Sequence, residues 1–284
     1  MQIAHLILAH NGPKQLERLV KRLAHPGAVV YIHLDKKTPI GPFEHLEDHP
    51  NVFFIKNRVK IYWGSYNMIK ATLNAFEEIT ASGINYKVVN LLSGQDYPIK
   101  PQEEFHTYLA QHPDTAFMNY LEFETDWHEA VSRINQYHFN HFRIKGKYFF
   151  QKIVNKLLPE RVFPQSLVPV GKSQWFTIPI ECVEYIIEYW YTNKKLREFI
   201  KLTWAPDEFL FQTILYNSKF KDKMVNENLR FMKWSPGDVS PNTLTSNNLS
   251  EILNSGKFFS RKFDTNLDTK VLDIIDEQAL LVKT

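Results

Sequence analysis

The sequence predicts an α/β protein with a mainly parallel central sheet flanked by helices, and three observations carry that expectation. Short apolar runs of strand length stand at Ile3 to Ala9, Val29 to Leu34 and Tyr86 to Leu92. Segments with helical spacing separate them: Leu16, Leu19, Val20 and Leu23 within Gln15 to Leu23, then Met68, Ile69, Leu73 and Phe76 after Ser65, a capping residue type. This is the alternation of β-α-β units, whose parallel strands are covered on both faces. Val52 to Ile55 adds a further strand.

The second half is less regular. A helix is predicted from Glu103 to Gln111, a strand from Ala116 to Leu121, and helices from Glu181 to Tyr191 and from Asp207 to Tyr216. Short strands around Arg230 to Lys233 and Phe258 to Phe263 precede a C-terminal helix from Asp268. No internal repeat and no Gly-, Pro- or Ser-rich linker marks a boundary, so the 284 residues form one domain with two halves, 1–110 and 111–284.

Composition narrows the class. Lys and Arg total 34 against 31 Asp and Glu, a net charge of +3, with 44% hydrophobic residues, which excludes a disordered chain and gives little charge for gripping a nucleic-acid backbone. Cys182 is the only cysteine, so disulfides within the chain and thiolate zinc sites are out. No apolar run approaches the roughly 18 residues of a membrane span, and the expected location is cytoplasmic. The 6 Trp, 13 Tyr and 21 Phe supply either core or flat faces for sugars and bases.

Ligands of open α/β sheets bind beyond the carboxyl ends of the strands. Asp35, ending the second strand in HLDKK, stands where a carboxylate can accept from a ribose or base edge, although the same position suits a solvated turn. Asp96 in SGQDYP is a lone carboxylate where an Asp-x-Asp metal pair would otherwise lie; Glu124 and Asp126 are the nearest substitute. Arg230 and Lys262, flanked by aromatic residues, can replace a metal as the charge that receives a leaving diphosphate, or can pair with local carboxylates. Asp207 and Glu208, in TWAPDEFLFQTIL, sit at a predicted helix start among Trp204, Phe209 and Phe211. Apolar surroundings raise a carboxyl pKa, as a general base requires. Trp175, Trp204 and Trp234 are either sugar platforms or packing, and His138 and His141 lack a third ligand of zinc spacing.

Taken together, LILAHN, HLDKK, WGSYNMIKA, LLSGQDYPI, VGKSQWFTI, APDEFLFQTIL, WSPGDVSP and FFSRKFD, in this order, resemble the core-2/I-branching enzymes, glycosyltransferase family 14, which includes peptide xylosyltransferases. The resemblance covers nearly the whole chain. It implies a GT-A-like fold and metal-free, inverting transfer of a sugar, GlcNAc or xylose, from a UDP-sugar to a glycan hydroxyl. By the same resemblance Glu208 is the general base, Lys262 and Arg230 bind the diphosphate, and Asp35 contacts the uridine. Asp96, Ser173 and Trp175 lie in motifs lining the donor and acceptor cleft. The lack of the animal enzymes' anchor and disulfides implies a bacterial, cytoplasmic member acting in surface polysaccharide or lipooligosaccharide synthesis. A non-catalytic carbohydrate-binding protein is the alternative.

One segment points elsewhere. Residues 130–159 contain no acid but carry Arg133, Arg143, Lys145, Lys147, Lys152 and Lys156, and from Phe149 to Leu158 apolar residues recur with helical spacing. Residues 143–161 therefore fit either a helix packed on the second half or a peripheral contact with an anionic membrane near a lipid-linked glycan.

Overall fold

The computed structural model describes residues 1–142, 144–164, 167–238 and 240–281; Arg143 of the basic stretch and Val239 of WSPGDVSP lie outside them. In chain order the first elements are β1 (Ile3–Ala9), α1 (Pro13–Leu23), β2 (Ala28–Leu34), β3 (Val52–Phe54), α2 (Asn67–Thr80), β4 (Val88–Ser93), β5 (Asp96–Pro98) and α3 (Gln102–Gln111). There follow β6 (Ala116–Glu122), α4 (Val131–Asn135), α5 (Lys147–Leu157), β7 (Val170–Pro179), α6 (Ile180–Thr192), α7 (Lys194–Lys201) and α8 (Leu210–Tyr216). The chain closes with β8 (Met224–Val225), β9 (Arg230–Met232), α9 (Leu249–Leu253), β10 (Phe259–Arg261) and α10 (Lys270–Leu281).

Seven strands form one sheet in the order β3-β2-β1-β4-β7-β6-β8. β1 pairs in parallel with β2 and β4, and β2 with β3, whereas β7 runs antiparallel to both its neighbours. The mainly parallel α/β expectation therefore holds. β7 also joins the two halves of the chain, since it pairs β4 of the first with β6 of the second.

Side-chain alternation along the strands explains the two-sided burial. In β1, Ala4, Leu6 and Leu8 face a core completed by α2, α6 and α8. Ile3, Ile7 and Ala9 face the opposite core, with Leu16 and Leu19 of α1, Phe105 of α3 and Ile275 of α10. α2 begins two residues after Ser65, whose Oγ accepts from the Asn67 amide at 3.3 Å.

A second sheet, β5-β10-β9, lies at the carboxyl end of β4. There β10 runs antiparallel to β5, with Arg261 opposite Asp96, and parallel to β9. This small sheet brings residues 165 positions apart into one place, a juxtaposition no local pattern contains.

The predicted helix from Asp207 is broken in two. Pro206–Glu208 is a single 3-10 turn entered through Ala205 at φ 46°, and α8 starts only at Leu210. The cause lies in β7. A Cβ at Gly171 would sit 2.4 Å from the Glu208 carbonyl oxygen and 2.3 Å from Phe209 Cβ, so the turn rests directly on the strand backbone and cannot continue as a helix.

Candidate active site

The end of β2 is tightly organised. Asp35 is buried, and its Oδ1 accepts from the amides of Lys37 at 2.9 Å and Ile61 at 3.4 Å, while Lys37 Nζ approaches Oδ2 to 3.2 Å. Arg58 donates to the carbonyls of Leu34, Asp35 and Thr38, which clamps the loop after β2.

At β5 the Asp96 side chain is fully buried, accepts from the Ser93 amide at 3.2 Å and pairs with Arg261 Nη1 at 2.8 Å. The Arg261 guanidinium lies 4.4 Å from the centre of the Trp175 ring. Trp175 is thus a shelf beneath a cation, an arrangement that fixes the guanidinium plane. Lys262 follows, half-buried, with Nζ 3.2 Å from Ser240 Oγ. Among the described residues it has no carboxylate within ion-pair distance.

Arg230 is a correction. It is 3% exposed, and its guanidinium donates to Leu91 O at 2.9 Å, Phe176 O at 3.1 Å and Thr177 Oγ1 at 3.3 Å, and also to Asn90 Oδ1 and Asn228 O. Asn90 in turn meets His5 Nδ1 at 3.0 Å, and burial lowers that imidazole's pKa to about 3. These groups form a polar seam between β4 and β7. Burial also lowers Arg230 to about 10, and its donors are turned to protein oxygens, not offered to an incoming diphosphate. Aromatic flanks in a strand mark core as readily as a dry binding site, which is why the sequence did not separate the two.

Glu208 stands in the turn Pro206–Glu208. Its Oε2 accepts from Arg133 Nη1 at 2.6 Å, and that guanidinium is held between two indoles, 4.5 Å from Trp127 and 4.6 Å from Trp204. Its carboxylate is therefore oriented by a charge-assisted hydrogen bond whose donor is itself immobilised by stacking. Gly64, at φ +65°, brings the loop before α2 against Trp204: its carbonyl accepts from the Ala205 amide at 2.9 Å, and a Cβ there would lie 2.7 Å from Trp204 Nε1. Since Ile61 of the same loop contacts Asp35, the loop links the β2 end to the turn carrying Glu208.

Asp207, beside Glu208, is buried with Oδ1 unpartnered among the described residues. Burial first, and the neighbouring Glu208 charge second, push its pKa from 3.8 up to about 7. Asp207 thus binds a proton more tightly folded than unfolded, so stability falls as pH rises from about 4 to about 7 and levels off above. We expect Asp207→Asn to remove this slope. Thermal unfolding of both proteins should show the variant gaining on the wild type as pH rises from 4.5 to 7.5, on the order of 1 to 4 kcal/mol; parallel curves would refute the burial penalty.

The cleft that Trp204 lines is aromatic and polar. Tyr62, Trp63, His138, Asn140, Tyr148 and Trp204 line a cleft of about 580 Å³, in which Trp63 and Trp204 meet edge to face at 5.3 Å. Trp204 is shared between this cleft and the Arg133 stack. Trp234 is 52% exposed after β9, whereas Ser173 is buried, its Oγ accepting from Asn228 Nδ2 and the Trp175 amide. His138 and His141 each bond a backbone carbonyl, of Ser132 and Lys201. Among the described residues no three His, Cys, Asp or Glu side chains are grouped to hold a metal. Arg133, Arg261 and Trp63 carry much of this geometry, yet the sequence singled out none of them as a site residue. RKFD offered two adjacent cations, and only strand pairing decides which meets Asp96.

Glu208 and Arg261 are related through β7. The Glu208 turn rests on Gly171, and Arg261 rests on Trp175, four residues along the same strand, about 13 Å in extended chain. The Glu208 turn and the Arg261 stack thus both rest on the part of β7 that lies beside the carboxyl end of β4. The chain belongs to the Core-2/I-Branching enzyme family, whose model matches residues 3–255. It is similar to xylosyltransferase 2 of Rattus norvegicus and of Homo sapiens, 26% identical in each case over 97% of this chain and 33% of theirs. A xylosyltransferase of Ciona intestinalis is 23% identical over 97% of this chain and 34% of its own. The chain spans about a third of the length of these relatives. Among solved structures, a 4-diphosphocytidyl-2C-methyl-D-erythritol synthase from Anaerococcus prevotii aligns over 68% of this chain and 76% of its own, at 10% identity and TM-score 0.35. A putative glucose-1-phosphate thymidylyltransferase from Bacillus anthracis aligns over 78% and 85%, at 10% identity and TM-score 0.36.

Proposed function

We propose that the chain is a glycosyltransferase that moves a sugar from a UDP-sugar to a hydroxyl of a glycan acceptor by one in-line displacement. The carrying observation is the Glu208 carboxylate, fixed by Arg133, whose guanidinium stacks on Trp204, an indole that also lines the aromatic cleft. Glu208 takes the proton of the acceptor hydroxyl; its oxygen bonds the anomeric carbon as the bond from that carbon to the UDP oxygen breaks, with inversion. UDP departs toward Lys262 and Arg261, fixed cations that can receive charge without a bound metal, while Asp35 and the clamped β2 loop hold the uridine. Xylose is supported as the transferred sugar by the names of the relatives, with GlcNAc as the other candidate. The setting we propose is bacterial surface polysaccharide or lipooligosaccharide synthesis at the cytoplasmic face of a membrane, with residues 143–161 in peripheral contact. No helix among the described residues is long and apolar enough to cross one.

Calorimetry with UDP tests this reading. Lys262→Ala should weaken UDP binding roughly tenfold, the scale of one charge-assisted hydrogen bond. Arg261→Lys, which keeps the charge but loses the planar fork, should weaken it less, and EDTA should leave turnover intact. UDP affinity unchanged in both variants, or EDTA inactivation reversed by Mn²⁺, would overturn the assignment.

A further inference from the structure

α5 is inside out. Lys147, Gln151 and Asn155, at i, i+4 and i+8, fall on one face of the helix. Those polar groups bind it to the segment 137–140. Gln151 Oε1 accepts from the Phe139 amide at 2.9 Å, Asn155 exchanges hydrogen bonds with the Tyr137 backbone at 2.8 and 3.0 Å, and Lys147 Nζ donates to Asn140 O at 3.3 Å. The apolar side chains are left outside: Phe149 is 66% and Leu157 74% exposed, with Phe150 and Ile153 between them, and α5 has no buried residue. The alternative of a helix packed on the second half by its apolar face is therefore overturned for these side chains. Phe142 and Ile144 extend the exposed surface ahead of the helix.

Charge identifies what this face meets. Lys145, Lys152 and Lys156 are exposed around it, and residues 130–159 contain no acid. Phe142 stacks on His141 at 4.2 Å, and His141 lines a second cavity of about 730 Å³ with Lys36, Arg58, Lys60, Lys70 and Lys201 and no carboxylate. Exposed apolar rings beside exposed lysines match a bilayer with anionic headgroups; a water-facing surface has no use for the rings, and an apolar protein partner none for the cations.

We propose that the exposed face of α5, with Phe142 and Ile144, seats on an anionic lipid surface. Lys147, Tyr148 and Gln151 of the same helix line the transfer cleft, so seating would bring the cleft to the membrane plane and select acceptors anchored there. This deepens the transferase reading, on which only the acceptor part rests.

Co-sedimentation with phosphatidylcholine vesicles containing about 30% phosphatidylglycerol tests the surface. The wild type should sediment with these and much less with phosphatidylcholine alone. Phe149→Ser/Phe150→Ser/Leu157→Ser should lose binding about tenfold or more, and Lys145→Glu/Lys152→Glu/Lys156→Glu should lose it at low salt. Both variants should keep the wild-type melting temperature and UDP affinity, because the altered side chains are exposed and outside the cleft. A wild type that stays in the supernatant, binding that survives the serine variant, equal binding to neutral vesicles, or a wild-type dimer that the serine variant dissociates would each overturn the proposal. Loss of UDP affinity in the wild type with vesicle binding intact would remove the transferase reading alone.

Discussion

Glu208→Gln should bind UDP as the wild type does and lose most of its turnover, between about 10² and 10⁴-fold, the range of a well-placed general base. The expectation follows from how the carboxylate is held. Arg133 is held by the Trp127 and Trp204 rings as well as by Glu208, so the glutamine variant should change proton acceptance more than position. Arg133→Met should then show the converse, a carboxylate present but no longer aimed, with a smaller loss in kcat. Single-turnover kinetics with the UDP-sugar separate the steps. A glutamine variant retaining more than about a tenth of the rate would mean that the proton leaves by another route.

Arg230→Ala should act on the fold and not on the nucleotide. Removing the guanidinium leaves Asn90 Oδ1 and the carbonyls of Leu91, Phe176 and Asn228 without their buried donor, and empties space between β4 and β7. At about 1 to 3 kcal/mol for each stranded group, and with partial relaxation, a loss of several kcal/mol is expected. That is a large share of the 5 to 15 kcal/mol by which domains are stable. The melting temperature should fall by about 10 °C or more, or the protein should fail to accumulate. Arg230→Lys, which keeps a positive charge, should also fall, because one ammonium cannot serve five acceptors placed around a planar fork. A variant that melts like the wild type but no longer binds UDP would restore the diphosphate role.

The contrast between Arg230 and Arg261 shows where a sequence stops being legible. Both are arginines in short aromatic strands, and nothing local distinguishes them. β9 and β10 run side by side in parallel, yet one guanidinium enters the seam between β4 and β7 while the other meets Asp96. That difference is set by pairing across most of the chain. The alternating strands and helices of the first hundred residues were legible because their burial repeats within a few positions. β7 was not, since Lys172, Ser173 and Gln174 interrupt its apolar run and its pairing with β6 is irregular at the same place. Glu208 was singled out through its motif, but the break that seats it was not, because Phe209, Leu210, Phe211, Ile214 and Leu215 continue a helical pattern directly after Asp207 and Glu208. Arg133 stood out only as one cation of a basic stretch, not as a partner of Glu208: its position depends on two tryptophans that folding, not spacing, brings to either side of it.

The bare backbone of Gly171 has an engineering corollary. The turn bearing Glu208 leans on a hydrogen atom of one strand, whereas the neighbouring cleft is furnished by His138, Asn140, Lys147, Tyr148 and Gln151 and by the loop ahead of α2. Anchor and vestibule are thus separate parts, and what enters can be redrawn by exchanging the vestibule while the anchor stays untouched.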